Sequence, residues 1–476
     1  MSITSSDLIY SSPLIAIVVF ALLTLIVEAL GKDKPILSYW MSLVGVTTSL
    51  VLSFIHLDSG VPVFGEMLFQ GGFAGYCNII FLTSALLTIL LAKGYLARME
   101  AHRGEFYILI LFATSGMMLM AGALNLITVF LGIELMSVSL YILAGFMRKK
   151  ERSNESALKY FLLGAFATGF LLYGIALIYG ISGTTNLLLI HESYAVHIKN
   201  PIFLIGGGLM LIALAFKASA VPFHMWAPDV YEGAPTPVAG FMSTAAKAAA
   251  FATFILIFNR IFSISGTSLS QVIAFIAAAS MILGNVTAIA QTSIKRMLAY
   301  SSIAHAGYML SGVAAANNEG ETGVLFYLLA YTFMNVGAFG IVSWVERKDD
   351  KNLTLEDYAG LGARQPVVAA LMAIFMFSLA GIPPFAGFFG KYYVFLAAVK
   401  ADMTWLAIVG VLTSLISAYY YLRLVVLMYF REGDADIDKP VPVTALVAVA
   451  AAALLVLALG VFPSLVVDMT RGFFKI

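Results

Sequence analysis

A single cysteine, Cys77, stands among 476 residues. That excludes an internal disulfide, an iron–sulfur cluster held by this chain and any metal site built from several thiolates. Charge is equally scarce. Asp, Glu, Lys and Arg make up 11% of the sequence, roughly half the share of an ordinary soluble domain. The formal net charge of +1 and the lack of a basic tract leave no footprint for nucleic acid. The sequence also lacks a phosphate loop, a dinucleotide fingerprint behind a strand, an HExxH zinc motif and a nucleophile elbow. No resident cofactor or metal is therefore expected, and coupled redox chemistry would have to sit in a partner. What is abundant is apolar side chain, at 61% of residues. A soluble globule of this size could not hide so much, whereas a lipid bilayer serves as its solvent.

Apolar runs near the length of a bilayer crossing recur from end to end. They predict an all-α polytopic membrane protein of about fourteen spans, each needing roughly 20 residues. The spans are placed at 11–30, 36–56, 77–97, 105–122, 124–146, 156–181, 201–225, 235–259, 269–291, 297–315, 322–345, 367–397, 404–430 and 441–465. The first run, starting near Pro13, has no basic leader region or cleavage signal and reads as an ordinary span. The stretch 106–147 holds one charge, Glu134, and must fold back around Gly122–Asn125. An even number of spans puts both termini on one side. The opposite loops then carry most of the basic residues, among them Lys32, Lys34, Arg148, Lys149, Lys150, Arg152, Lys295, Arg296, Lys351 and Lys439. The side of the termini carries only Lys199, Arg260, Lys400, Arg471 and Lys475. The positive-inside rule places both termini of this multi-pass protein outside the cytoplasm.

Some charges lie within the spans. A lysine at a helix centre costs about 2.5–3.5 kcal/mol on the insertion scale, so it faces a bundle interior or a wet cavity with a partner. Lys217 sits in IALAFKASAVPFHMW, where Pro222 must break or kink the helix. His224, two turns further on, is either a relay on the same face or a core histidine. Lys247 is mid-span among small residues. Lys391 follows Gly381, Pro383, Pro384, Gly387 and Gly390, a stretch that cannot form a regular helix. Irregular backbone in mid-membrane is tolerated only inside protein or beside a cavity, and paired interrupted helices point to an ion site. Glu134, alone at its depth, requires a partner, and Lys217 across the helices is the expected one. Lys159, near the water boundary, is open to two readings, a snorkelling side chain or an accessory to the path. His305, with Tyr300, Ser301 and Ser302 nearby, suits either a proton wire or a satisfied core position.

The segments FKASAVPFHMWAPDVYEGAPTPVAGFMSTAAKAA, TSIKRMLAYSSIAHAGYML and LAGIPPFAGFFGKYYVF resemble the antiporter-like subunits of respiratory complex I, the NADH–quinone oxidoreductases. The likeness runs over nearly the whole chain and is greatest to the subunit N type. The subunit M type typically has a glutamate where this chain has Lys391. The subunit L type carries a lateral helix for which this chain is too short. The Mrp-type antiporter chain that keeps a lysine there usually lacks the DVYEGAPTP pattern of Asp229–Pro237. The resemblance implies two inverted five-helix repeats, each with one broken helix. Residues 1–104 would hold three N-terminal spans, 105–260 the first repeat, 261–430 the second and 431–476 a final span. It implies a proton path along Glu134, Lys217, Lys247 and Lys391, with Lys159, His224 and His305 as accessories. It also implies that partner membrane-arm subunits and their associates, not this chain, hold FMN, iron–sulfur clusters, quinone and NADH. The expected function is a proton-translocating, non-redox subunit of that oxidoreductase. Alternatives are an Mrp-type cation/proton antiporter subunit, the membrane subunit of a related hydrogenase, and a structural subunit that only bridges neighbours.

Overall fold

The computed structural model describes residues 3–31, 35–348, 353–437, 441–471 and 473. Lys32, Lys34, Lys351, Lys439 and Lys475, used above to orient the chain, lie outside the described residues. The architecture is an all-α bundle. Eleven described helices are long and apolar enough to cross a membrane. Two shorter apolar helices, Pro201–Lys217 and Pro366–Ala380, join them, as does the longer and more polar Ile294–Ala315. The only strands among the described residues form an antiparallel hairpin, Val61–Val63 against Leu68–Gln70, which the sequence reading missed. The fold-back predicted near Gly122–Asn125 is present between helices Glu105–Gly122 and Leu126–Ala144.

Asparagine marks where several of these helices begin. The side-chain oxygens of Asn125, Asn186 and Asn200 accept from the amides of Ile127, Leu188 and Ile202, each at 2.9 Å. This satisfies donors that an apolar helix leaves open at its first turn. Glycines let helices touch backbone to backbone. A Cβ on Gly116 would stand 2.5 Å from the amide nitrogen of Met136, and one on Gly174 would stand 2.7 Å from the carbonyl oxygen of Gly206. Without a hydrophobic drive between helices in lipid, such close approach supplies the packing.

Two helices, Thr236–Ile261 and Asn318–Val345, are buried along their whole apolar length. They run antiparallel and are tied by polar contacts at three levels. Thr236 donates to the Glu346 carboxylate at one end. Asn335 donates to the Ser243 hydroxyl (3.1 Å) part-way along, and Arg260 meets Glu321 (3.7 Å) at the other end. The first of these helices is π-wound over Met242–Ala246, directly before Lys247, and again over Ile255–Ile261.

The two expected breaks are present. Helix Pro201–Lys217 stops at its lysine, Ser219 takes a positive φ of 60°, and the chain resumes helically at Trp226–Gly233. Helix Pro366–Ala380 stops at Gly381 (φ 87°) and resumes as Ala386–Lys400. Both interruptions contain a cis X–Pro bond, Val221–Pro222 and Pro383–Pro384. The described residues nearest the two ends, represented by Asp7 and Phe473, lie on the same face of the bundle. The Asp7 carboxylate accepts from the amide of Phe64 (2.7 Å) in the hairpin, and the Phe473 ring lies 6.0 Å from that of Tyr76.

Candidate functional site

The three span lysines are buried, with exposures of 6% for Lys217, 1% for Lys247 and 4% for Lys391. Each ammonium is held by oxygen. Lys217 donates to the Ser137 hydroxyl (2.7 Å), with the Tyr141 hydroxyl at 3.4 Å. Lys247 donates to both the hydroxyl and the carbonyl oxygen of Ser302, each at 2.6 Å. Lys391 donates to the carbonyls of Leu379 (3.1 Å) and Ala380 (2.8 Å) and to the Ser414 hydroxyl (2.8 Å). The Tyr308 ring centroid lies 5.0 Å from the same nitrogen. Two of the lysines therefore sit at the carbonyl end of a half-helix, where the peptide dipoles favour a cation. The third follows a π-turn, an irregularity found often at functional sites.

Hydroxyls fill the space between the lysines. The Tyr231 hydroxyl lies beside Ser219, in the first break, and Ser302, the partner of Lys247. One turn further along the same helix, His305 bonds through Nδ1 to the Tyr327 hydroxyl (2.7 Å) and through Nε2 to the Tyr421 hydroxyl (3.1 Å). Tyr421 also bonds Ser301. Asn285 joins the Tyr420 and Tyr308 hydroxyls at 2.9 Å each, and Tyr308 underlies Lys391. A neutral imidazole has one donor and one acceptor nitrogen, so His305 can take a proton on one side and give one up on the other. His305 is fully buried with both ring nitrogens bonded, an arrangement that fits a satisfied core position and a proton wire alike.

Other expectations are altered by the structure. Glu134 makes no direct ion pair with Lys217. Its carboxylate accepts from Thr168 (2.8 Å), while Lys217 is held one turn along the Glu134 helix by Ser137, so the two charges interact at a distance. His224 does not share a helix face with Lys217, because the helix ends at Lys217 and the intervening segment turns. Lys159 lies apart from the buried row. It is 41% exposed and pairs with Glu155 and Asp229, both at 2.7 Å. Asp229 and Glu232 in turn bind Arg296 at 2.9 Å each. These charges line a polar cavity of about 200 Å3 at one face of the bundle. Burial raises the Asp229 carboxyl, but its hydrogen bonds and ion pairs with Lys159 and Arg296 outweigh this and hold it below the ordinary value.

Lys295 and Arg260, read as loop residues, are built into helices. Lys295 is 1% exposed and donates to the Ala234 carbonyl (2.8 Å), and the Arg260 side chain is 11% exposed. The sequence reading also missed Ser137, Asn285, Tyr308, Tyr327, Ser414 and Tyr421. Single hydroxyls and amides in apolar runs are too common to stand out, and only their convergence on lysine or histidine marks them. Among the described residues no three His, Cys, Asp or Glu side chains group as metal ligands.

Residues 123–417, which include Glu134 and all three lysines, match the family described as NADH:quinone oxidoreductase/Mrp antiporter, TM. Subunit N of the NADH-quinone oxidoreductase of Trichlorobacter lovleyi is 48% identical over 435 residues, 91% of this chain and 89% of the relative. Subunit N 1 of Chloroherpeton thalassium is 48% identical over 468 residues, 98% of each chain. The chain belongs to the subunit N family of NADH–quinone oxidoreductases. A chain of respiratory complex I from Thermus thermophilus, a solved structure, superposes on this subunit N family member with a TM-score of 0.84 at 36% identity, covering 96% of this chain and 98% of the other. A chain of the Mrp complex from Dietzia has a TM-score of 0.87 at 22% identity and covers 98% of this chain and 96% of its own, a likeness of fold alone. The family thus joins complex I and Mrp chains in one architecture, while the close relatives of this subunit N member are oxidoreductase subunits.

Proposed function

We propose that this chain is the proton-translocating membrane subunit N of an NADH–quinone oxidoreductase in the cell inner membrane. It assembles with the other membrane-arm subunits, and partners carry out the redox chemistry with NADH, FMN, iron–sulfur clusters and quinone. In this reading the chain crosses the bilayer fourteen times, with both ends on the extracytoplasmic face. The eleven long helices, Ile294–Ala315 and the two broken helices together make up that number. The two breaks, each beside a buried lysine, support an arrangement of two inverted five-helix repeats.

The observation that carries the proposal is the row of polar side chains between Lys247 and Lys391: Lys247 bonds Ser302, His305 one turn on bonds Tyr421, the Tyr421 ring packs on Tyr420, Asn285 joins Tyr420 to Tyr308, and the Tyr308 ring underlies Lys391. Lys217 and Tyr231 approach it from the first break. An opposite charge favours a charged group and burial disfavours it. A change in the spacing of Glu134 and Lys217 therefore decides whether the proton stays on Lys217 or moves on to Lys247. Such a change, imposed by a neighbouring subunit, can shift the equilibrium only by the difference in interaction free energy between the two arrangements. The cluster of Lys159, Asp229, Glu232 and Arg296 would gather protons at the cytoplasmic face.

Purification of the tagged chain from native membranes in mild detergent tests the assembly. NADH–quinone reductase activity and iron are expected to travel with it. Reconstituted complexes carrying Lys247→Ala are expected to pump fewer protons per NADH oxidised. Unchanged pumping in that assembled variant would remove the chain from the proton path.

A further inference from the structure

One buried ion pair lies outside the lysine row. Arg260 is in the π-wound last turn of Thr236–Ile261, and Glu321 is in the first turn of Asn318–Val345. The Arg260 Nε is 3.7 Å from a Glu321 carboxylate oxygen, and the guanidinium packs over the Phe73 ring, 4.4 Å from its centroid. Their side chains are only 11% and 9% exposed. The neighbouring polar groups are not all saturated: the Asn259 amide lies against the Glu321 carboxylate, but the Thr322 hydroxyl is enclosed without a hydrogen-bond partner. Thr322 is 5% exposed and follows Glu321 directly. Among the described residues the other charged or titratable groups nearby are Cys77, beside Arg260, Tyr76, which donates to the Leu325 carbonyl (3.4 Å), and the Glu319–Lys400 pair (2.6 Å) with Arg471 at the rim.

The position of the pair is informative. It lies towards the face where both chain ends emerge, opposite the Lys159–Asp229 cavity. It joins the same two helices that carry Lys247 and Tyr327, one of the two tyrosines bonded to His305. Tyr327, bonded to His305, is six residues from Glu321 on one helix, about 9 Å along the axis. Stability alone does not account for the pair. A buried ion pair is often no more stabilising than apolar side chains of similar volume. Its 3.7 Å separation also leaves carboxylate lone pairs open to a third group.

We propose that Glu321, with Arg260 as its counter-charge, is the proton-release group of this subunit, through which the lysine row discharges to the face bearing the chain ends. The inference rests on the proton-translocating reading above. A proton leaving the His305–Tyr327 pair crosses by the Thr322 hydroxyl and intervening water. It forms an O–H bond on a Glu321 oxygen and loosens the contact with Arg260. Breaking that O–H bond towards water at the surface restores the carboxylate, which Arg260 then draws back. The arginine favours the carboxylate whichever side the proton comes from, so the direction of release is set by the driven change in the lysine row, and the step consumes no other reactant.

The experiment uses the whole complex reconstituted in vesicles, with native gels to check assembly. Glu321→Gln keeps the shape and removes the titratable oxygen. It is expected to cut proton pumping about tenfold or more, and Glu321→Asp is expected to restore part of it. Pumping by Glu321→Gln should lose its dependence on pH at the face bearing the chain ends, a readout that a packing role would not move. The double variant Arg260→Met with Glu321→Leu refills the site without charge, so it tests the proposal even if the single variant does not assemble. Full pumping by Glu321→Gln or by the double variant, alongside impaired Lys247→Ala, would overturn the release role and leave the proposed function standing. Full pumping by all of them, Lys247→Ala included, would overturn both.

Discussion

The ammonium of Lys391 reaches back across the second break to the carbonyl oxygen of Ala380, the last residue of the preceding half-helix, at 2.8 Å. One side chain thus closes an open helix end and carries a charge into the bundle. Replacing it with Met leaves the Leu379 and Ala380 carbonyls with one partner fewer in an apolar setting. Each buried polar group so stranded costs about 1–3 kcal/mol. Lys391→Met is therefore expected to lower the melting temperature of the complex and its pumping together. Lys391→Arg should retain much of the stability. A melting temperature unchanged by Lys391→Met would show that the lysine does not hold the break.

Gly381 has a matching constraint. Its φ is 87°, and a Cβ there would stand 3.0 Å from Cδ and 3.1 Å from Nζ of Lys391. Gly381→Ala is expected to cost about 1–3 kcal/mol through backbone strain and to displace the ammonium. Pumping should fall further than the loss of assembled complex explains. Equal losses of the two would mean that the lysine is not displaced.

Glu134 and Lys217 hold separate partners, Thr168 and Ser137. Ser137→Ala should cost about 1.5–3 kcal/mol, the usual range for a bond to a charged group. Thr168→Val should cost less. Because the two bonds share no atom, a double-mutant cycle between them is expected to give a coupling below about 0.5 kcal/mol in stability. A large coupling would indicate that the carboxylate and ammonium meet directly in the resting complex.

The Asp229 cluster gives a pH dependence of known sign. The folded carboxyl is held below its ordinary value by Lys159 and Arg296, against the effect of burial. Its stabilising contribution is complete above the unfolded value, about 3.9, and is lost as pH falls through the lowered folded value. As the pH falls from about 5 through the unfolded value, near 3.9, and below it, melting temperatures should fall less steeply for Asp229→Asn than for the natural chain. Parallel curves would refute the assignment.

Much of the bundle was legible because span length and hydropathy follow from bilayer thickness, and the two breaks from Pro222, Pro383 and Pro384. The buried lysines were legible because an uncompensated charge in an apolar run is rare. What stayed hidden depended on tertiary contact. Nothing local distinguishes Tyr421 or Ser137 from other hydroxyls in apolar helices. Arg260 sits at a span end, where an exposed loop residue is the ordinary expectation, and only the π-wound last turn and Glu321 across from it bring it inside. The separation of Glu134 from Lys217 was likewise hidden, since sequence gives the depth of each residue but not how two helices are rotated.

The three ties between Thr236–Ile261 and Asn318–Val345 share one antiparallel register, from Thr236–Glu346 through Ser243–Asn335 to Arg260–Glu321. A shift of even one residue, about 1.5 Å, would strain all three at once. Because Thr236–Glu346 and Ser243–Asn335 hold even while the proposed release step loosens Arg260–Glu321, this pair would act as a fixed axle rather than a piston. In the proposed function, force from a neighbour would then be absorbed sideways, by the outer helices and the two breaks, while the axle keeps Lys247 at constant depth.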